Sequence, residues 1–225
     1  NVELRAIRMD NGYLGTITQA AGNTITLDEW AAYQGQFRVE SGTFIGGDSD
    51  IKIYGNLLVE GGSFTSTSAV LDFVVNTASI TVLKVADGAV FNHGNGTIRQ
   101  NPQGSQCGVV NYYYSLPDGA TLNNLYFYYN GGGCGGDGVF ALDSGKTLNL
   151  VGYLYQYTNY HTLSGGNIAF TGGAITLGGN LKEGSTEFKF TGSGHQTYNV
   201  NTDSGGMHIV IDKSGGTVTP SSAGN

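Results

Sequence analysis

The stretch Ile51-Lys52-Ile53-Tyr54-Gly55-Asn56-Leu57 decides the fold class, because it alternates apolar and polar residues and then turns sharply. A period of two places Ile51 and Ile53 on one face of a strand. Gly55 and Asn56 then tolerate the backbone conformations of a tight turn. The same pattern, apolar-x-apolar-x-Gly-x-Leu, recurs at 148–154 and 175–181. The pattern predicts short strands joined by tight turns.

A longer motif joins an aromatic strand, a polar glycine-rich turn and a strand with glutamine. One copy runs from Phe91 to Gln106 and the other from Phe190 to Tyr198, so His93 and His195 fall in corresponding turns. Such a unit cannot bury its apolar face alone, whereas stacked units share a continuous core. We therefore predict an all-β fold, a β-solenoid or β-helix with irregular rungs. A β-sandwich is the alternative, because it also contains many short strands and turns.

The N-terminal region departs from the repeat. Residues 1–40 are predicted to form a cap or interface segment, and residues 41–225 a single β-solenoid repeat domain. Within the cap, residues 26–34 combine a capping threonine, two acids in the first turn and an alanine pair, and Gly35 follows. This order is typical of a short helix and its stop signal.

The composition excludes several classes of protein. The 225 residues include 38 glycines and 3 prolines, and 39% are hydrophobic, which is too many for a disordered chain. With 10 basic and 17 acidic residues, the chain lacks the basic surface of a nucleic-acid binder. No stretch approaches the roughly 18 apolar residues of a membrane span. The first residue is Asn, without an apolar leader, which indicates a processed form or an excised fragment.

Three segments, 173–181, 190–197 and 211–219, resemble the degenerate β-strand repeats of large bacterial surface and secreted adhesin-type proteins. The resemblance covers roughly residues 42–222 and is clearest from Gly173 onward. It implies a β-solenoid in a secreted, cell-surface-associated protein that acts as a structural or adhesive module. It brings no catalytic residues with it.

The last residues suggest how the chain works. Thr217-Val218-Thr219 begins another rung, and Pro220 and the residues after it stop the repeat. A solenoid without a cap presents unpaired strand edges. We therefore expect either a fragment of a longer protein or head-to-tail docking of copies of this chain, which builds a fibre if the contact does not close. The expected function is structural and non-enzymatic: a self-assembling filament subunit, or a rod segment of a surface protein.

Cys107 and Cys134 are the only cysteines, and the interval between them equals the interval between the second and third copies of the glycine–leucine pattern. Equivalent positions on consecutive rungs would bring their Cα atoms within the range that a disulfide spans. We predict that they pair, which would contribute about 3–4 kcal/mol through loop closure. A disulfide agrees with an oxidising, extracellular setting.

The chain contains 14 tyrosines, many of them in runs such as 112–114, 126–129 and 153–160. Because alternate residues of a strand face opposite sides, each run directs some rings outward. Outward rings suit contacts with sugars or with neighbouring subunits. The candidates for a surface-glycan or subunit contact are Tyr113, Tyr128, Tyr155 and Tyr157, and local cover of an insertion is the alternative. A carbohydrate-binding adhesin module is therefore the second functional hypothesis.

No cofactor and no metal site are predicted. Residues 132–140 fit the calcium-binding nonapeptide once, whereas such sites need consecutive copies. A polysaccharide-degrading β-helix enzyme, the third hypothesis, would cluster carboxylates on one outer face. The acids here are instead scattered singly along the sequence, as Asp72, Asp87, Asp118, Asp143, Glu183, Glu187, Asp203 and Asp212. The four histidines show no metal-ligand spacing.

Overall fold

The computed structural model describes residues 1–28, 35–75, 79–102, 109–128, 138–156, 161–172, 175–176, 184–199 and 208–220. All regular structure in these ranges is β-strand, and no helix in them is long and apolar enough to cross a membrane. The strands are β1 (Val2–Leu4), β2 (Ala6–Met9), β3 (Thr16–Thr18), β4 (Ile25–Leu27), β5 (Gln36–Val39), β6 (Thr43–Ile45), β7 (Ile51–Ile53), β8 (Leu57–Val59), β9 (Ser63–Thr65), β10 (Val70–Phe73), β11 (Ile80–Val85), β12 (Val90–Asn92), β13 (Thr97–Gln100), β14 (Val110–Ser115), β15 (Thr121–Leu122), β16 (Asn124–Phe127), β17 (Gly138–Leu142), β18 (Thr147–Leu150), β19 (Leu154–Gln156), β20 (His161–Ser164), β21 (Asn167–Phe170), β22 (Ile175–Thr176), β23 (Glu187–Phe190), β24 (Gln196–Asn199), β25 (Ile209–Ile211) and β26 (Val218–Pro220).

From β1 to β21 the chain visits three sides in turn and then returns to the first, whereas the described strands from β22 to β26 alternate between two sheets. Sheet 1 has the order β1-β4-β7-β10-β13-β16-β19, and sheet 2 has the order β2-β5-β8-β11-β14-β17-β20. The third side holds sheet 3 (β3, β6, β9, β12) and then sheet 4 (β15, β18, β21, β23, β25), while β22, β24 and β26 form sheet 5. We call three successive strands, one on each side, a rung, so that rung 1 is β1–β3 and rung 7 is β19–β21.

Every pairing between described strands is parallel, for example β7 with β10 and β11 with β14. The all-β character that the alternating pattern predicts is therefore confirmed, and the parallel pairing agrees with the stacked units expected from the recurring motifs. The β-sandwich alternative requires antiparallel pairs.

The spacing between paired residues varies from rung to rung. Leu71 lies opposite Ile51, whereas Tyr114 lies opposite Leu83, and a much longer stretch of chain separates the second pair than the first. The second and third copies of the apolar-x-apolar-x-Gly-x-Leu pattern do not occupy equivalent places on successive rungs. The copy at 148–154 joins sheet 4 to sheet 1, whereas the copy at 175–181 starts in sheet 5. The motif marks a tight turn after a strand, and that turn occurs at more than one corner of the rung.

The structure does not support the predicted helix over residues 26–34. Thr26 and Leu27 belong to β4, in which Ile25 and Leu27 are buried, while residues 29–34 lie outside the described residues. Strands β1, β2 and β3 pair with β4, β5 and β6, so strands of residues 1–40 join the same sheets as later ones. Burial of alternate apolar residues at the start of the segment outweighs its weak helix signals.

The core runs between the three sides, from Met9 to Phe190. On the third side, Phe44 stacks on Phe64 with ring centroids 4.9 Å apart, and Phe64 stacks on Phe91 at 5.8 Å. These residues are register partners on β6, β9 and β12. On this side, rungs 3 and 4 thus each cover the aromatic ring of the rung before, as expected for stacked units that share one core.

Glycine is required where neighbouring rungs meet at a corner. Gly62 has a φ of +60°, and a Cβ at this position would overlap the carbonyl oxygen of Gly42. Such a position excludes any side chain.

The two histidines of the long motif each lie in a turn that follows a strand with a phenylalanine, but the two turns join different pairs of sheets. The turn with His93 leads from β12 to β13, and the turn with His195 leads from β23 to β24. His93 Nδ1 accepts a hydrogen bond from the N–H of Asn95 at 2.9 Å, and His195 Nδ1 lies 2.8 Å from Thr217 Oγ1. Both histidines therefore hold turns together.

Candidate functional site: the outer face of sheet 1

The outward side chains of sheet 1 in rungs 5 to 7 combine aromatic, amide, hydroxyl and guanidinium groups. Ile98, Leu125 and Leu154 are buried on the inner face of β13, β16 and β19, so the residues beside them point outward. These outward residues form two rows, which we call the tyrosine patch: Thr97, Arg99, Asn124, Tyr126, Tyr153 and Tyr155.

The rings of the patch pack along the stacking direction. Tyr126 is the register partner of Tyr155, and their ring centroids are 5.1 Å apart. Tyr128, just after β16, lies 5.9 Å from Tyr126. Tyr126, Tyr128 and Tyr155 are partly exposed, and Tyr153 is 39% exposed. The rings therefore support one another and keep part of their surface accessible.

Hydrogen bonds between rungs fix the polar groups of the patch. Asn124 Nδ2 donates to Thr97 Oγ1 at 3.3 Å, and the N–H of Tyr153 donates to Asn124 Oδ1 at 3.1 Å. The hydroxyl of Tyr153 lies 3.4 Å from Thr97 Oγ1. The asparagine side chain is thus oriented by both neighbouring rungs.

A buried carboxylate holds the one cation of the patch. Arg99 Nε donates to Asp72 Oδ1 at 2.8 Å, and Arg99 Nη2 donates to Asp72 Oδ2 at 2.6 Å. Asn101 Nδ2 also donates to Asp72 Oδ2, at 3.3 Å. The side chain of Asp72 is 2% exposed and that of Arg99 28%. The hydrogen bond to Asp72 raises the pKa of Arg99, and the bidentate pair balances its charge.

The outer face of sheet 2 carries a different arrangement, which we call the charge ladder: Arg38, Glu40, Glu60 and Lys84. Glu60 accepts from Arg38 Nε at 2.7 Å and from Lys84 Nζ at 3.3 Å, and Arg38 also pairs with Glu40 at 2.9 Å. Partial burial raises the pKa of Glu60, but its hydrogen bonds from Arg38 and Lys84 outweigh burial and leave the pKa below its ordinary value of 4.5. The ladder is a self-contained ion network.

The structure separates the tyrosines predicted as contact residues. Tyr155 lies in the patch, and Tyr128 lies beside it against Tyr126. Tyr113 instead lies on β14 in sheet 2, where it is 44% exposed. Tyr157 and the predicted disulfide residues Cys107 and Cys134 lie outside the described residues.

Sequence reasoning did not single out Tyr126, Arg99 or Thr97 as site residues. The sequence does contain a signal for this row, since Arg99, Tyr126 and Tyr155 follow one another at nearly equal intervals and are register partners in sheet 1. The spacing identifies the row only if the strand register is known, because a shift of one residue would turn each of these side chains inward.

Outside the charge ladder, three further acids of the described residues each make a separate contact. Asp143 accepts from Ser115 Oγ at 2.9 Å, Asp212 pairs with Lys189 at 2.8 Å, and Asp48 accepts from the N–H of Gly22 at 2.7 Å. Within the described ranges, no group of three or more His, Cys, Asp or Glu residues is placed to hold a metal ion. The tyrosine patch is therefore the best-defined candidate site in these ranges.

We compared the chain with protein-family models, with curated proteins and with solved structures, and found no match in any of the three.

Proposed function

We propose that this chain is a structural, non-enzymatic segment of a secreted, cell-surface-associated protein, in which it forms a β-solenoid rod. The observation that carries the proposal is the parallel stacking of seven strands in each of sheets 1 and 2 around one core. In such a fold each rung contacts only its neighbours, so length is added by adding rungs. This property suits a spacer or a fibre.

The surface chemistry supports the same proposal. Only 12% of the residues are charged, and on sheet 2 the charges of Arg38, Glu60 and Lys84 pair with one another between rungs. The resemblance of the later repeats to bacterial adhesin-type proteins supports an extracellular location. A Cys107–Cys134 disulfide would agree with that location.

Two forms of the rod are distinguishable. A rod segment within a longer protein stays monomeric when produced alone, whereas a fibre subunit docks end to end on copies of itself. Negative-stain electron microscopy and light scattering over a concentration series separate these forms. We expect elongated particles, which grow into filaments of uniform width with concentration only in the second form.

Two further assays test the rest of the proposal. Incubation with acidic and neutral polysaccharides should release no new reducing ends, and release that requires the folded protein would overturn the structural assignment. Mass spectrometry with thiol alkylation of the secreted protein should show both cysteines protected until a reductant is added. Free thiols in that sample would contradict the disulfide and weaken the case for an oxidising location.

A further inference from the structure

We infer that the tyrosine patch is a binding site for a neutral polysaccharide chain. This inference goes beyond the rod proposal, because a structural rod requires no ligand on its flank. It rests on the side chains of the patch, on the balance of their charges and on the open shape of the sheet face.

The side chains offer both contacts that a sugar needs. A pyranose ring has apolar C–H faces and hydroxyl groups around its edge. Tyr153 is exposed and Tyr126 and Tyr155 are partly exposed, so each offers some apolar ring surface together with a polar hydroxyl, and tyrosine loses little rotamer entropy on binding. Asn124 and Thr97 supply amide and hydroxyl groups that are held in place between rungs.

The charge balance selects a neutral ligand. Arg99 is the one cation of the patch, and its Nε and Nη2 groups are engaged by the buried Asp72 carboxylate. The pair therefore offers no net charge to an incoming carboxylate or sulfate. Arg99 contributes a flat, partly exposed guanidinium plane instead.

The shape of the site favours a chain over a small molecule. Sites for small molecules are usually concave pockets, whereas the patch is the outer face of a parallel sheet. Its rings repeat from rung to rung, about 4.8 Å along the stacking direction. An extended polysaccharide that lies along sheet 1 can place successive sugar rings on successive rungs.

The test is affinity electrophoresis of the full chain in native gels. The neutral probes are hydroxyethylcellulose, dextran and galactomannan, and the acidic probes are alginate and polygalacturonate. We expect retardation by at least one neutral polysaccharide. No retardation by the neutral panel, or retardation only by the acidic probes, would overturn the inference.

Substitutions assign the binding to the patch. Tyr126→Ala and Tyr155→Ala should each weaken the retardation constant at least tenfold, while the matched control Tyr113→Ala on sheet 2 leaves it unchanged. Circular dichroism verifies folding, and Tyr155→Leu, which keeps apolar bulk without the aromatic ring, serves if the alanine variant does not fold. Equal losses in Tyr113→Ala, or unchanged binding in both patch variants, would refute the site. Neither result bears on the particle shape seen by electron microscopy, so the binding site and the rod proposal are tested separately.

Discussion

The tyrosine patch on sheet 1 and the charge ladder on sheet 2 are built on the same backbone and differ in how their polar groups are satisfied. Both lie on parallel strands, and in both regions side-chain contacts link consecutive rungs. In the ladder, Glu60 accepts from Arg38 below it and Lys84 above it. In the patch, Tyr126 packs on Tyr155, and only Arg99 is part of an ion pair.

On the proposal above, this difference separates a face that supports the fold from a face that binds a ligand. The charges of the ladder bind one another, so little of their interaction energy is left for a partner, and salt screens what remains. In the patch, the one charge pair joins Arg99 to the buried carboxylate of Asp72 on the neighbouring strand, and ring surface is left partly exposed. The backbone repeats on every side of a protein built from stacked rungs. The outward side chains therefore determine what each side can bind.

The largest effect should come from removing the cation of the patch. Arg99→Ala removes the bidentate partner of Asp72, a carboxylate whose side chain is only 2% exposed in the wild-type protein. Breaking a buried ion pair in this way costs about 3–5 kcal/mol of unfolding free energy. Urea unfolding of the variant and the wild type measures the difference.

A double variant identifies the cause. Asp72→Asn in the Arg99→Ala background removes the uncompensated charge and should recover most of the lost stability. If the double variant is as unstable as Arg99→Ala, the loss comes from packing of the arginine side chain. The patch and the ladder would then differ less in their electrostatics than their structures indicate.

The two regions were not equally predictable from the sequence. The alternation at 51–53 and the glycine corners predicted short strands joined by tight turns, because burial of every second residue is a local property. The patch depends on register between strands that lie far apart in sequence, and the separation of register partners changes from one rung to the next. Connections of variable length set that register. The placement of Tyr126 next to Arg99 and the pairing of charges in the ladder therefore could not be derived from sequence spacing alone. The helix predicted at 26–34 is not supported. Its sequence signals are local and carry no information about the core, in which Ile25 and Leu27 are buried.

A smaller effect is expected on the ladder. Glu60→Gln removes the central carboxylate of the ladder. Its side chain is 25% exposed, so water replaces part of the lost interaction with Arg38 and Lys84. Exposed ion pairs are worth about 1 kcal/mol or less, so the loss in unfolding free energy should stay well below that of Arg99→Ala. It should also shrink in about 1 M salt, where the screening length is near 3 Å. Glu3→Gln, at an exposed glutamate of β1 for which the described residues show no ion pair, is the control. A salt-independent loss as large as that of Arg99→Ala would contradict the distinction between the two faces.

The smallest effect is a pH dependence confined to the ladder. The folded pKa of Glu60 lies below the ordinary value of 4.5, because hydrogen bonds from Arg38 and Lys84 outweigh the opposing effect of partial burial. The stability that Glu60 contributes is therefore complete above pH 4.5, and it is lost as the pH falls through the folded pKa, since the unfolded chain takes up the proton first. Urea unfolding of the wild type and Glu60→Gln over a pH series should show a constant difference near neutrality that narrows below pH 4.5. A difference that widens on acidification would mean that the carboxylate is destabilising in the fold and that the ladder does not hold rungs 2 to 4 together.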